Sequence, residues 1–242
     1  MGEPDGARSF FEADSPYPSH PLLTEERTAQ ELDHIEALVG SLRGPVLDLG
    51  CGFGRHVIEL WRREIAATGV DPSSHMIDEA NRRLAASGLS ADLRTLRAHE
   101  FIDDQSYNLG LCLFTTFGQQ DPHLDEPSDD STVGLLQAAS RALAPNAPLI
   151  VEVPDRERTV ALLAQDEWLG PTHVRRDFAD DGGVREVFDG PSGRFHLAYR
   201  AFGSDDLTAL FEENGFAVET VLPRALVEPP GHLMTVIARN SA

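Results

Sequence analysis

The sequence predicts an α/β fold with a mostly parallel sheet covered by helices on both faces, and three observations carry that expectation. Apolar runs of strand length alternate with stretches of helical spacing between Val46 and Val153. The first run ends in the glycine cluster Gly50, Gly52 and Gly54, and the second ends in the acid Asp71. The longest apolar runs, 109–114 and 149–153, fall far short of the roughly 20 residues that span a bilayer.

The elements follow in order. Residues 1–23 are rich in Pro, Ser and Asp, and by composition form a flexible arm. Its aromatic residues Phe10, Phe11 and Tyr17 suit either a hydrophobic staple or a lid over a site. Thr24 is placed to N-cap a helix whose apolar positions are Leu32, Ile35, Leu38 and Val39. After Gly44-Pro45 come a strand at 46–49, a helix over 55–63, a strand at 66–70, a helix over 74–86 and a strand at 91–96. A buried strand at 107–114, a helix over 132–143 and a fifth strand at 149–153 complete the alternation.

Beyond Asp155 the pattern changes. Alternating residues punctuated by Asp180-Asp181-Gly182-Gly183 and Asp189-Gly190-Pro191-Ser192-Gly193 predict antiparallel hairpins. Residues 157–202 thus form a β-rich insert, with Trp168 packing it onto the main sheet, and residues 24–156 and 203–242 form the core. Ser204 is expected to cap a last helix ending at Asn214-Gly215, before strands at 216–222 and 232–238.

Composition removes several functions. The 242 residues hold 40 acids and 20 basic residues, for a net charge of −20, and every basic residue is arginine. Such an excess disfavours nucleic acid or an anionic membrane as partner. Without lysine there is no Schiff-base chemistry and no Walker-type phosphate loop. Cys51 and Cys112 are too few for a disulfide framework, and the first residues lack a signal-peptide pattern, so a cytoplasmic setting is expected.

The chemistry centres on the segment Val46-Leu-Asp-Leu-Gly-Cys-Gly-Phe-Gly54. Glycines between a strand and a helix let backbone approach a ligand closely. Asp71 lies 21 residues beyond Gly50 at the next strand end, where a carboxylate can accept both hydroxyls of a ribose. A dinucleotide fingerprint would place glycine at Arg55 to admit a pyrophosphate. Asp48, so close to the loop, suits instead a cationic ligand with an amino group and a sulfonium.

On these residues, with Thr68-Gly-Val-Asp-Pro-Ser73 and Leu113-Phe-Thr-Thr-Phe-Gly118, the chain resembles the class I S-adenosylmethionine-dependent methyltransferases. The Leu23-Thr-Glu-Glu-Arg-Thr28 opening and the Arg55 to Leu60 continuation resemble a bacterial small-molecule subgroup with a β-rich insert after strand five. The resemblance implies a Rossmann-like doubly wound, seven-stranded sheet and S-adenosyl-L-methionine as cofactor. It places Asp48, Gly50, Cys51, Gly52 and Gly54 around the methionine part, Asp71 at the ribose and Met76 or Ser73 beside the adenine, with Arg27 and Pro72 as further cofactor-binding residues. Leu113 and Phe114 join them from the fourth-strand motif. Where the family carries Gly-Asp after the third strand, this chain has Ala98-His99-Glu100, so His99 or Glu100 would take the adenine contact.

Methyl transfer needs alignment, exclusion of water and, for a hydroxyl acceptor, a proton acceptor. Tyr17 and His123 are the catalytic candidates, with His20 as an alternative base. Tyr17, Thr115 and Phe117 are placed at the substrate, and Glu152 and Asp155 are expected to steer a cationic one. No metal is implied. The acceptor is expected to be a nitrogen or oxygen of a small molecule, in particular a specialised metabolite. The rivals are a non-methylating cyclisation or elimination on the same cofactor and a non-catalytic scaffold. The insert is also a candidate surface for a homo-oligomer.

Overall fold

A computed structural model describes residues 8–12, 15, 17–103, 106–119, 129–163 and 167–241. The arm contributes β1 (Arg8–Ser9), and the alternating region runs α1 (Glu25–Val39), β2 (Val46–Leu49), α2 (Arg55–Arg62), β3 (Ala67–Asp71), α3 (Ser74–Ala86), β4 (Asp92–Thr95), β5 (Leu109–Cys112), α4 (Asp129–Ala142) and β6 (Pro148–Pro154). Then follow α5 (Arg156–Leu163), β7 (Glu167–Leu169), β8 (Thr172–Phe178), β9 (Gly183–Gly190), β10 (Gly193–Arg200), α6 (Ser204–Glu213), β11 (Phe216–Leu222) and β12 (Leu233–Asn240).

The main sheet has seven strands in the order β11-β12-β6-β5-β2-β3-β4. β2 to β6 are parallel, while β12 runs antiparallel to both β6 and β11. From β2 the chain moves outward to β3 and β4, then crosses back to place β5 on the other side of β2. That reversal opens a crevice at the carboxyl ends of β2 and β5, where ligands bind in doubly wound sheets. One face of the sheet buries Leu32 and Ile35 of α1, Val57 and Leu60 of α2 and Ile77 of α3. The other buries Leu135, Leu136 and Ala139 of α4 and Leu207 and Phe211 of α6. Thr24 caps α1 through its hydroxyl, which accepts from Arg27 N at 3.2 Å. No helix among the described residues is long and apolar enough to cross a membrane.

The second sheet has the order β1-β10-β9-β8-β7, antiparallel except where β1 joins β10 in parallel. The arm is therefore partly built into the insert, because composition says nothing of tertiary anchoring. Phe10 is buried and stacks on Phe188 at 4.2 Å between centroids, which fixes β1 against the insert. Other local expectations change as well. Residues 156–163 form α5 rather than strand, and Gly203, not Ser204, occupies the N-cap of α6, with no side-chain cap bond. Trp168 is 67% exposed and stacks on His173, so it does not bridge the insert to the main sheet. Leu38 is likewise on the solvent side of α1. Cys51 and Cys112 are buried free thiols.

Phe10→Ala removes the ring that seats the arm. Faster amide hydrogen exchange is expected at residues 8–12 and 17–20, with protection of β2 to β6 unchanged; equal protection of the arm in both proteins would contradict this anchoring.

Candidate active site

The glycine loop is shaped by contacts that leave no room for side chains. Gly50, Gly52 and Gly54 all have positive φ, at 78°, 53° and 76°. A Cβ on Gly50 would lie 2.1 Å from Thr116 Cγ2, so the loop and the end of β5 can meet only because this residue is glycine. Gly50 N and Cys51 N both donate to Val70 O, at 2.8 and 2.9 Å, and turn the chain toward β3. The Cys51 thiol faces Gly69 of β3, where it supports the loop from behind.

Asp71 ends β3 beside this loop. Its Oδ2 accepts from Gly52 N and its Oδ1 from Ser73 N, each at 2.9 Å. Each oxygen keeps a lone pair for a further donor, which is what two vicinal hydroxyls require. Burial pushes its carboxyl up to about 6, although the two backbone N–H bonds pull the other way.

A cavity of about 640 Å³ extends from Asp71, Gly50 and Gly52 in two directions. Toward β4 it reaches Pro72, Ser73, His75 and the segment 95–100. His99 and Glu100 lie here on a 3-10 helix, where Glu100 Oε2 accepts from Arg97 N at 2.9 Å. Toward the insert the cavity passes Phe114, Thr116 and Gln119 to Phe11, Tyr17 and residues 196–198 of β10. Phe11 and Tyr17 meet edge to face at 5.1 Å, and Ser73 Oγ donates to Phe11 O at 2.7 Å, so the arm straps across the opening.

The end of β5 is strained. Phe114 and Thr115 have φ of 55° and 68°, a left-handed conformation that costs non-glycine residues on the order of 1–3 kcal/mol each. The guanidinium groups of Arg27 and Arg55 both pack on the Phe114 ring, each 5.7 Å from its centroid. His20 meets the same ring at 6.1 Å. Burial and the nearby Arg27 hold His20 below its ordinary range, so it is neutral at pH 7.

Beneath Phe114 is a buried ionic cluster. Glu31, fully inaccessible, accepts from Arg27 Nε at 2.8 Å, from Arg55 Nη1 and from His56 Nε2 at 2.9 Å. Burial is the largest influence on its carboxyl and acts upward, but His56 and Arg55 together lower it to about 2. Asp48 Oδ2 and Arg55 Nη2 are buried with no hydrogen-bond partner among the described residues. Tyr17 senses the charges of Arg55, Asp71 and Asp48, so these groups converge beside the glycine loop. Desolvation raises the Tyr17 phenol well above its ordinary value. Asp48 Oδ2 has His56 Nδ1 at 3.9 Å as its ionic neighbour, and both Asp48 and Arg55 lie behind the glycine loop and not on the cavity wall.

The candidates therefore separate by position. Gly50, Gly52, Asp71, Pro72, Ser73, His99, Glu100, Phe114 and Tyr17 line the cavity. Met76 packs instead with Leu23 and Phe53, leaving Ser73 as the cavity-lining member of that pair. Gly54 caps α2, and Leu113 is buried in the core beside β5. Arg27 is committed to Glu31, Val227 O and Pro229 O. Thr115 follows Phe114 in the strained turn without reaching the cavity wall. Phe117 is a core residue against Phe202 and Phe211, not a substrate contact. Asp155 caps α5 by accepting from Arg158 N at 2.8 Å, and Glu152 is fully buried, so neither is placed to steer a substrate. His123 lies outside the described residues, as do residues 125–128 of the acidic stretch 125–130, which by composition reads as a solvated loop.

Sequence reasoning missed Gln119 and the β10 segment as walls of the cavity. Only the i, i+4 spacing of Arg27 and Glu31 hinted at the cluster.

Comparison with known proteins agrees with this geometry. A family model described as a methyltransferase domain matches residues 46–146. No curated protein matches the sequence. An S-adenosylmethionine-dependent methyltransferase from Clostridium acetobutylicum superposes with a TM-score of 0.74 at 16% identity, over 90% of this chain and 93% of that one. The CcbJ methyltransferase from Streptomyces caelestis gives 0.70 at 17% identity, over 88% and 94%. CalS10, an amino pentose methyltransferase from Micromonospora echinaspora, gives 0.61 at 16% identity, over 89% and 91%. At these identities the likeness establishes the fold.

The Glu31 cluster makes a signed stability prediction. A carboxyl lowered on folding stabilises the protein above its unfolded value near 4.5, and that contribution disappears as pH falls toward about 2. Glu31→Gln, which leaves buried cations without their counter-charge, is expected to cost roughly 3–5 kcal/mol at pH 7. It should also flatten the acid limb between pH 4.5 and 2 in thermal unfolding; an unchanged limb would contradict the assignment.

Proposed function

We propose, from the premise that residues 46–146 are a methyltransferase domain of the class I S-adenosylmethionine-dependent family, that this chain methylates a nitrogen or oxygen of a small molecule, in particular a specialised metabolite. One observation carries the reading: a single cavity joins the Asp71 and glycine-loop end to a second compartment walled by Phe11, Tyr17, Phe114, Gln119 and β10. Its volume of about 640 Å³ suits a cofactor and a small acceptor side by side.

S-adenosyl-L-methionine supplies a methyl carbon activated by a sulfonium. Asp71 would accept the ribose hydroxyls on its free lone pairs. Ser73, Leu96, Ala98 and His99 would enclose the adenine. Phe114, Thr116 and Tyr17 would fix the acceptor's approach, and the Phe11 and Tyr17 rings would exclude water. Tyr17 keeps its proton and so acts by packing and hydrogen bonding, not as a base. That and the net charge of −20 favour an amine nitrogen, which is attracted as a cation and attacks as the free base. Among the structural neighbours, one is named an amino pentose methyltransferase and another a glycopeptide N-methyltransferase.

Incubation with S-adenosyl-L-methionine and a panel of amines and alcohols tests the reading. Methylated product and S-adenosylhomocysteine should appear in equal amounts; cofactor consumption without a methylated product would point to another reaction. S-adenosylhomocysteine at about 100 times its dissociation constant should stabilise the fold by roughly 2.7 kcal/mol. Absence of any thermal shift would remove the cofactor from the account.

Asp71 adds a pH dependence. Its ionised form is the acceptor, so affinity for S-adenosylhomocysteine should be constant above pH 7 and fall below about 6, approaching roughly tenfold per pH unit. Asp71→Ala should weaken binding strongly and abolish this slope. Calorimetric titration at several pH values decides, and a flat wild-type profile from pH 7.5 to 5 would refute the ribose assignment.

A further inference from the structure

Glu152 lies on β6 opposite Thr235 of β12, fully buried beneath α1, and takes no part in the cavity wall. Its two oxygens are used by two different segments. Oε1 accepts from Leu226 N at 2.7 Å, and Oε2 accepts from Phe114 N at 3.3 Å. Leu226 belongs to the connection between β11 and β12, and Phe114 is the first left-handed residue after β5.

That connection is itself tied down to α1. Arg27 donates to Val227 O at 2.6 Å and to Pro229 O, and His34 Nδ1 meets Leu226 O at 2.6 Å. Arg27 also packs on the Phe114 ring, as does Arg55. The turn at Phe114 and Thr115 thus has its ring held by two guanidinium groups and its backbone held by one carboxylate. Thr116, two residues on, contacts Gly50 O through its hydroxyl at 3.4 Å and lines the cavity.

We propose that Glu152 is a positioning residue for the transfer site: by bridging the amides of Phe114 and Leu226 it sets the wall formed by Phe114 and Thr116. Only a carboxylate can do this. It presents two acceptor oxygens, whereas an amide of the same shape presents one oxygen and one donor, which would oppose a backbone N–H. The role of the wall rests on the methyltransferase reading; the bridge itself does not.

The charged groups acting on the carboxyl are Glu31 and Arg27 from α1 and Arg55 from α2; on the bridged connection, His34 of α1 meets Leu226 O and Glu228 accepts from Ala225 N. Burial first and Glu31 second raise Glu152 to about 7, against the opposing pull of the Leu226 amide and of Arg55 and Arg27. Its ionised form accepts the stronger hydrogen bonds. Both bridged amides therefore report one titration.

Amide NMR spectra of the full chain from pH 5.5 to 8.5 provide the first test. The Phe114 and Leu226 resonances should move together with one midpoint near 7, and both should be flat in Glu152→Gln. Independent or absent titration of the two amides in the wild type would overturn the proposal, even if the variant fails to fold. Calorimetry with S-adenosylhomocysteine at pH 8 is the second test. Binding at least fivefold weaker in folded Glu152→Gln is expected, because the wall against Gly50 loses its backbone hold, and affinity within twofold of wild type would overturn it. Failure of the wild type to bind S-adenosylhomocysteine would instead count against the methyltransferase reading, while the paired amide titration would still decide the bridge.

Discussion

Glu31 is a carboxylate with no access to solvent, and two guanidinium groups and an imidazole converge on it. An isolated ion in that position would be expelled or neutralised, so the surrounding architecture has to deliver its partners. Arg27 comes from one turn earlier in α1, and Arg55 and His56 come from the first turn of α2, directly after the glycine loop. The cluster therefore sets where α1 lies over the sheet and where the loop ends. The same arginines then cover the Phe114 ring, and Arg27 holds the connection between β11 and β12. One buried charge links the cofactor loop, the strained strand end and the C-terminal hairpin.

The strain at Phe114 and Thr115 follows from this linkage. Left-handed backbone at two consecutive non-glycine residues survives only where surrounding contacts over-determine it. Here the contacts come from both sides of the sheet, from the arginines above the ring and from Gly50 against Thr116. A turn held so firmly presents a fixed surface to the cavity, which is what alignment of two reactants requires. The insert meets this end of the core through the pairing of Gln119 with Tyr199, through Arg200 N donating to Gly118 O at 2.8 Å, and through the arm.

Much of this was legible in the sequence because it is local. Glycines at alternate positions after a short apolar run, and an acid 21 residues beyond the first of them, follow from strand, turn and helix geometry alone. Thr24 announced α1 in the same way. What could not be read was which buried polar groups would meet. Glu152 and Asp155 sit three residues apart at one strand end, yet one bridges two amides in the interior and the other caps α5. The arm misled for a related reason. Its composition is that of a loose segment, and only the groove beside Phe188 makes Phe10 a core residue.

The net charge of −20 acquires a local meaning through these contacts. Surface acids answer many arginines pairwise, as Glu79 does for Arg82 and Arg83. Such exposed pairs contribute little to stability. Inside, Arg27 and Arg55 offset Glu31, while Asp48, Asp71 and Glu152 are all pushed upward by burial. A ligand with a sulfonium and an ammonium would relieve that pressure by stabilising the ionised forms of Asp48 and Asp71. Asp48 and Asp71 are thus acids at this end of the sheet that burial disfavours in their ionised forms, and the ones a cationic ligand would stabilise.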